Sequence, residues 1–446
     1  MRNHPENYLH ALQQHLAVAP EVTSETAREK EGIDLSKSSE TITTNQQGKI
    51  TAFQRWFSFK EAFSPAFVIG AIEGLGYTPE HIIDPFGGSG TTALTAQLLG
   101  IQATTIEVNP FLADLISAKV TSVTSEQLRT AIADFQVRLL DTPVNILRLS
   151  HLPQTFVEDE SKARWIFPKE IAKRITQYLD VIDTFNDITI QRLFKVALGA
   201  ILVPCSNVYI NGKGRRYRRS WQINQCNKSD LDSQFRDQLN IIFEDSLRFE
   251  NRSNSLINVI HNDSRVALSS INKKADLIIF SPPYPNSFDY TDIYNIELWM
   301  LDYLKCSIDN KGLRNNTMRS HVQVNRGYDW PRTASPSLQM IYGELDTARN
   351  QLWDRKIPDM ITAYFKDLED ILIQCYRLLN QTGKVIIVVG DSKYADVLIN
   401  VADVLSEIAH GIGFSRITRT EVRKMRASAQ QGGRHQLREW VLELSH

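Results

Sequence analysis

The sequence predicts an α/β fold with a mostly parallel twisted sheet, and three observations carry the prediction. From Phe53 onward, strand-like and helix-like segments alternate. Two apolar strands, Ile82-Ile83 and Leu277-Ile278-Ile279-Phe280, each run directly into a short polar motif. Between them lies a long stretch in which the alternation stops and helical periodicity dominates. A β-α-β-α rhythm needs crossover connections, and these place neighbouring strands in parallel with a right-handed sense.

Taken in order, residues 1–50 form a polar extension. The pattern near 8–16 predicts a short amphipathic helix, and 21–49 has few large apolar residues and no periodicity, which predicts a flexible stretch. Residues 51–120 carry the first half of the α/β pattern: a helix over 65–75, a strand at 82–83, a helix over 91–99, a strand at 104–108 and a helix over 111–119. Residues 121–254 read as a mainly helical insertion, with helices over 125–140, 168–185, 190–202 and 230–249. In 255–446 the alternation resumes with strands at 258–261, 277–280 and 384–389, the last one after a turn at Asn380-Gln381-Thr382-Gly383. A helix over 395–410 and a strand at 439–444 close the chain. The segment 307–359 is polar and poorly periodic, which predicts a long functional or disordered loop.

Composition narrows the function classes. A chain of 446 residues with 42% hydrophobic and 23% charged residues is an ordinary globular protein long enough for two or three domains. The longest apolar stretch, around 193–205, contains Lys195 and is too short to span a bilayer. The first residues lack the order of a secretory signal, and the four cysteines show no C-x-x-C pairing. A cytoplasmic protein without a zinc site or a disulfide framework is expected, and no histidine spacing predicts a metal. The net charge of −1 supplies no bulk attraction to nucleic acid, so any such affinity needs local clusters. Lys213, Arg215, Arg216, Arg218 and Arg219 form one, with Tyr217 and Trp221 interleaved. A looser run holds Arg416, Arg419, Arg423, Lys424, Arg426, Arg434 and Arg438. The loop Arg314 to Arg332, with Arg319, Arg326, Tyr328 and Trp330, is a further candidate that would cover a pocket.

The two motifs carry the chemistry. Asp84-Pro85-Phe86-Gly87-Gly88-Ser89-Gly90-Thr91 is a glycine turn between a strand and a helix. Glycine allows close backbone approach to a ligand, and the helix start offers unpaired N–H groups. Glu107, 19 residues after Gly88, ends the next strand, where an acid accepts hydrogen bonds from both ribose hydroxyls. Ser281-Pro282-Pro283-Tyr284 is a rigid corner in which Ser281 and the Pro282 carbonyl are pre-ordered acceptors and Tyr284 offers a flat face for a base. Such a corner can accept hydrogen bonds from an exocyclic amine and localise its lone pair. Pro204-Cys205 lies inside the helical insertion, and Cys205 reads as a buried small residue rather than a nucleophile.

Together these motifs resemble those of the S-adenosylmethionine-dependent DNA methyltransferases that modify exocyclic amino groups, over roughly 53–120 and 255–446. The resemblance implies a Rossmann-like methyltransferase fold. It implies that Asp84, Phe86, Gly88, Ser89, Gly90 and Thr91 surround the cofactor, that Glu107 holds its ribose, and that Asn109 and Pro110 border the adenine. Phe57 to Pro65 resembles the preceding motif, whose Lys60 and Ser64 region contacts the methionine end. Asn262-Asp263-Ser264-Arg265 resembles the motif whose aspartate, here Asp263, meets the adenine amino group. Serine at the first position of the Ser281 motif is typical of cytosine-N4 enzymes, with adenine N6 as the alternative. Double-stranded DNA is the implied partner, with the helical insertion as target-recognition region, and a cognate restriction or defence subunit as a second partner. An RNA guanosine-N2 methyltransferase and an inactive DNA-binding subunit of the same fold are the other readings.

Overall fold

A computed structural model describes residues 48, 51–59, 61–211, 214–286, 289–323, 326–426 and 436–446. The expected N-terminal helix and flexible stretch, and the site candidates Lys60 and Lys213, lie outside the described residues.

The first half runs α1 (Pro65–Glu73), β1 (His81–Asp84), α2 (Thr91–Leu98), β2 (Gln102–Glu107) and α3 (Pro110–Val120). Ser64 and Asn109 cap α1 and α3 through side-chain oxygens, and Pro65 and Pro110 begin those helices where a missing N–H costs nothing. The 121–254 segment supplies α4 (Ser125–Asp141), α5 (Lys169–Ile182), α6 (Ile188–Leu202), the strands β3 (Val208–Asn211) and β4 (Gly214–Tyr217), and α7 (Lys228–Arg248). The second half supplies β5 (Ile257–His261), α8 (Ser264–Ser270), β6 (Ala275–Phe280), α9 (Tyr290–Ile293), α10 (Asn295–Met300), α11 (Ser307–Asn316) and α12 (Pro336–Thr347). It ends with α13 (Ile357–Leu378), β7 (Leu379–Gly390), β8 (Ser392–Tyr394), β9 (Val397–Ile399), α14 (Val401–Ile412), β10 (Arg416–Arg426) and β11 (Gln436–Ser445).

Seven strands form the central sheet in the order β10-β11-β7-β6-β1-β2-β5. The five strands from β7 to β5 pair in parallel, and β11 runs antiparallel to both β7 and β10. This is a mixed α/β architecture with a mostly parallel sheet, the Rossmann-like arrangement expected from the sequence. The chain winds outward from β1 to β2 and β5, then returns to place β6 on the other side of β1. That reversal opens a crevice at the carboxyl ends of β1 and β6, the usual ligand position in such sheets. In register, Ile82 faces Leu277 and Ile83 faces Ile278, so the glycine motif and the Ser-Pro-Pro-Tyr motif leave adjacent strands at the same edge.

Several expectations fail. Residues 395–400 do not begin a helix; Ala395 and Asp396 take φ of 44° and 67° and turn the β8–β9 hairpin. The turn expected at 380–383 lies within β7. The 307–359 segment contains α11 and α12, and α13 follows unanticipated. Polar residues break the apolar run of α13, but Asp367 and Glu369 are buried and paired rather than solvated. Asp367 receives Arg265 and Arg319, and Glu369 accepts the backbone N–H groups of Arg332 and Thr333. The basic run 416–426, for which no element was expected, is strand β10, and of the first basic cluster Arg215 and Arg216 lie on β4 with Arg218 and Arg219 just after it.

The helices of 121–254 do not form a separate core. Leu128, Phe135, Leu179, Phe194 and Leu198 share one buried cluster with Phe111, Leu112 and Leu115 of α3. Gly199 makes the α3–α6 approach possible: a Cβ there would lie 2.7 Å from the Phe111 ring.

Candidate active site

The crevice is a cavity of about 370 Å³, and both motifs line it. Asp84, Phe86, Gly88, Ser89, Thr91, Glu107, Asn109 and Asp263 face it together with Ser281, Pro282, Pro283 and Tyr284. Ser64, Gly90 and Pro110 do not line it. Ser64 caps α1 by accepting from Phe67 N–H, Pro110 starts α3, and Gly90 takes φ of 82° before α2.

The glycine turn is shaped by contacts that only glycine permits at two positions. A Cβ on Gly87 would stand 2.4 Å from Thr105 Oγ1, and Gly88 takes φ of 52°. The turn is also held from the next strand. Gly87 N–H donates to the Ile106 carbonyl at 2.8 Å, and Gly88 N–H donates to Glu107 Oε2 at 2.8 Å. Glu107 Oε1 accepts Asn109 N–H at 2.8 Å. Burial pushes the Glu107 carboxyl up to about 7, with those two N–H groups pulling the other way, and burial pushes Asp84 up to about 6. Both carboxyls therefore stand close to the protonation boundary at neutral pH.

Lys119 was not among the sequence candidates, yet it braces the turn from below. It is fully buried on α3 and its Nζ donates to the Ser89 carbonyl at 2.7 Å. Burial pulls its ammonium down to about 7. Its only sequence signal was a lysine inside an apolar helix. The hydroxyls of Ser89 and Thr91 are buried without hydrogen-bond partners among the described residues, an arrangement that suits a ligand able to engage them.

Asp263 caps α8, and both its oxygens receive Arg265. Ser264 Oγ donates to the Pro85 carbonyl, which ties this turn to the glycine motif. The cavity's near wall comes from the segment before α1: Phe59 stacks on Tyr294 with ring centroids 5.6 Å apart, and Tyr294 Oη donates to Glu61 at 2.8 Å.

On the opposite wall, Tyr284 Oη donates to Glu439 Oε1 at 3.1 Å, and Ser281 Oγ donates to Tyr284 Oη at 3.5 Å. Arg423 Nη2 donates to the same Glu439 oxygen at 2.8 Å. Burial, reinforced by the Glu439 carboxylate, pushes the Tyr284 phenol well above its ordinary value, so the hydroxyl keeps its proton. Glu439 and Arg423 belong to the final hairpin, and no sequence signal tied them to the motif 155 residues earlier.

The end of α11 and the segment after it close the cavity. Leu313, Asn316, Thr317, Met318 and His321 line it. Its arginines are engaged within the protein: Arg314 pairs with Asp289 and Asp292, Arg319 with Asp367, and Arg326 donates to the carbonyls of Arg314, Thr317 and Met318. This loop covers the pocket as expected, but these three arginines brace it instead of facing a polyanion.

The cluster on the β3–β4 hairpin divides in the same way. Arg218 donates to the carbonyls of Val203 and Ser206, both at 3.2 Å, closing the turn after α6. Arg215 is partly buried, donates to Asn295 at 3.3 Å and lies over the Phe156 ring. Arg216 and Arg219 are exposed.

No family model matches the chain. It is 29% identical over 436 residues to the Type II methyltransferase M.AvaI of Nostoc sp., covering 90% of this chain and 88% of that protein. The same figures hold for the Type II methyltransferase M.AvaI of Anabaena variabilis. It is 25% identical over 473 residues to the Type II methyltransferase M.BsoBI of Geobacillus stearothermophilus, covering 93% of this chain and 90% of that protein.

Proposed function

We propose that this chain is a site-specific DNA methyltransferase of a restriction-modification system, moving a methyl group from S-adenosylmethionine to N4 of a cytosine turned out of the duplex. The observation that carries the reading is that the glycine motif with Glu107 and the Ser-Pro-Pro-Tyr motif wall one cavity at the sheet's reversal point. The near-full-length similarity to proteins named Type II methyltransferases supports it. A cytoplasmic setting and a cognate nuclease partner belong to the same reading.

The residues present fit the cofactor. A cavity of about 370 Å³ is within the size range of small-molecule sites. Glu107, held by the N–H groups of Gly88 and Asn109, would accept from the ribose hydroxyls, and the buried Ser89 and Thr91 hydroxyls would add polar contacts beside the turn. When bound, the cofactor supplies a sulfonium methyl group. Ser281 and the Pro282 carbonyl accept from the target amine, and the two prolines hold them without a conformational search. Tyr284 presents its ring to the extruded base. Phe59, Tyr294 and the segment around the end of α11 wall the space in which the reacting groups would meet.

Modification-aware sequencing of DNA from cells expressing the protein tests the reading. N4-methylcytosine at one fixed short sequence is the expected result. N6-methyladenine there would keep the enzyme and change the base. Unmodified DNA, with tritium from labelled cofactor entering tRNA instead, would overturn the DNA assignment.

Arg216 and Arg219 are the phosphate-facing members of the hairpin cluster in this reading. Replacing both with alanine is expected to lower the slope of log affinity against log salt by about 1.8, since each phosphate contact contributes about 0.9. Arg218→Ala is expected to lower the melting temperature instead, because two carbonyls lose their donor. Salt titrations of DNA binding alongside thermal melts separate the two; an unchanged slope would place the phosphate contacts elsewhere.

A further inference from the structure

The sequence motif ends at Tyr284, but the polar chain it starts does not. Ser281 Oγ, Tyr284 Oη and Glu439 Oε1 form a continuous series of hydroxyl donors ending on a carboxylate, with spacings of 3.5 and 3.1 Å. All three residues line the cavity. Glu439 is only 2% exposed, and its second oxygen has no hydrogen-bond partner among the described residues. Arg423, 2.8 Å away, is the cation packed beside it. A buried carboxylate with a spare acceptor atom, hydrogen-bonded to Tyr284 and through it linked to Ser281, is an arrangement that stacking of a base on Tyr284 does not require. A phenylalanine ring would stack as well.

We propose that Glu439 is the terminal acceptor of the proton that the target amine must lose, delivered through Ser281 and Tyr284. This rests on the methyltransferase reading above and adds a step to it. As the amine nitrogen forms its bond to the methyl carbon, the carbon–sulfur bond breaks with its electron pair remaining on sulfur. The nitrogen is then cationic and sheds one proton. That proton passes to Ser281 Oγ, the Ser281 hydroxyl proton passes to Tyr284 Oη, and the Tyr284 proton passes to Glu439 Oε1. Both hydroxyls are regenerated, the nitrogen has lost one proton and the carboxylate has gained it. Tyr284 is never left as a phenolate, in keeping with a phenol that holds its proton tightly. The 3.5 Å spacing between Ser281 and Tyr284 is long for a hydroxyl pair, and such bonds commonly shorten when substrate closes the site.

The experiment compares wild type with Glu439→Gln, Tyr284→Phe and the double variant. The readouts are single-turnover methyl transfer to cognate duplex in water and in deuterium oxide, and affinity for the demethylated cofactor and for DNA. Expected are a rate loss of about 100-fold for each single variant, a typical general-base effect, and no further loss in the double variant. The solvent isotope effect should change, while both affinities stay within about twofold of wild type. A purely structural role for Glu439 would lower the affinities and give additive losses. If Glu439→Gln folds poorly, Tyr284→Phe, which keeps the ring, still decides: a wild-type rate for it would overturn the relay. Active wild type with an unimpaired Glu439→Gln would overturn this role alone, whereas wild type inert on all DNA would overturn the methyltransferase reading.

Discussion

Ser281→Ala is expected to lower single-turnover methyl transfer by roughly 100- to 1,000-fold, the cost of removing one pre-ordered hydrogen-bonding group from a reaction centre. Cofactor affinity should hardly move, because the glycine turn and Glu107 stand on β1 and β2 while Ser281 leaves β6. The check is a rapid-quench assay with labelled cofactor, paired with calorimetric titration of the demethylated product. A full rate in Ser281→Ala would remove the motif from the chemistry. Tyr284→Ala is a poorer probe than its place in the motif suggests. It removes the aromatic ring along with the hydroxyl donor to the buried Glu439 carboxylate, so lost stacking and packing would mix with loss of the hydroxyl, which Tyr284→Phe isolates.

Glu107→Gln is expected to weaken cofactor binding by about 10- to 100-fold. Each oxygen of Glu107 faces a backbone N–H, so an amide necessarily sets its own N–H₂ against Gly88 or Asn109, at about 1–3 kcal/mol for a buried donor left unpaired. Wild type should also show a pH signature. The folded carboxyl titrates at about 7 instead of 4.5 because burial disfavours its charge. With the folded value raised, this group's stabilising contribution is complete below pH 4.5 and is lost as pH rises to 7 in the ligand-free protein. Ribose hydroxyls need the ionised form as acceptor, so affinity should rise between pH 6 and 8 with release of a proton. Titration calorimetry in buffers of different ionisation enthalpy measures that proton; a flat profile identical to Glu107→Gln would exclude Glu107 as the anchor.

The parts of the site legible in the sequence were those that strand ends present locally. Asp84 to Thr91, Glu107 and Ser281 to Tyr284 each sit at the end of a buried strand, and a parallel sheet brings strand ends to one edge whatever lies between them. Lys119, Arg423 and Glu439 were not legible as site residues, because their positions depend on pairings between distant segments. Arg423 had been counted in a basic run, and only the β10–β11 register puts it opposite Glu439. The roles of Arg215, Arg218, Arg314, Arg319 and Arg326 needed the fold as well. Sequence spacing shows where charge accumulates and not which carbonyl or carboxylate already holds it. Helix α13 escaped for a related reason: acids buried to receive a loop look like a solvated face.

The packing of α6 on α3 through Gly199 bears on how this protein can diversify. Where a reader and a catalyst occupy separate lobes, exchanging one lobe re-addresses the enzyme without disturbing the other. Here Phe111 belongs at once to the helix behind the cofactor strand and to the cluster of the 121–254 helices. Chimeras cut at 121 and 254 would expose that shared interior on both fragments. On the methyltransferase reading proposed above, a change of target preference would have to come from the β3–β4 hairpin and other surface loops, because transplanting the whole segment would open the shared core.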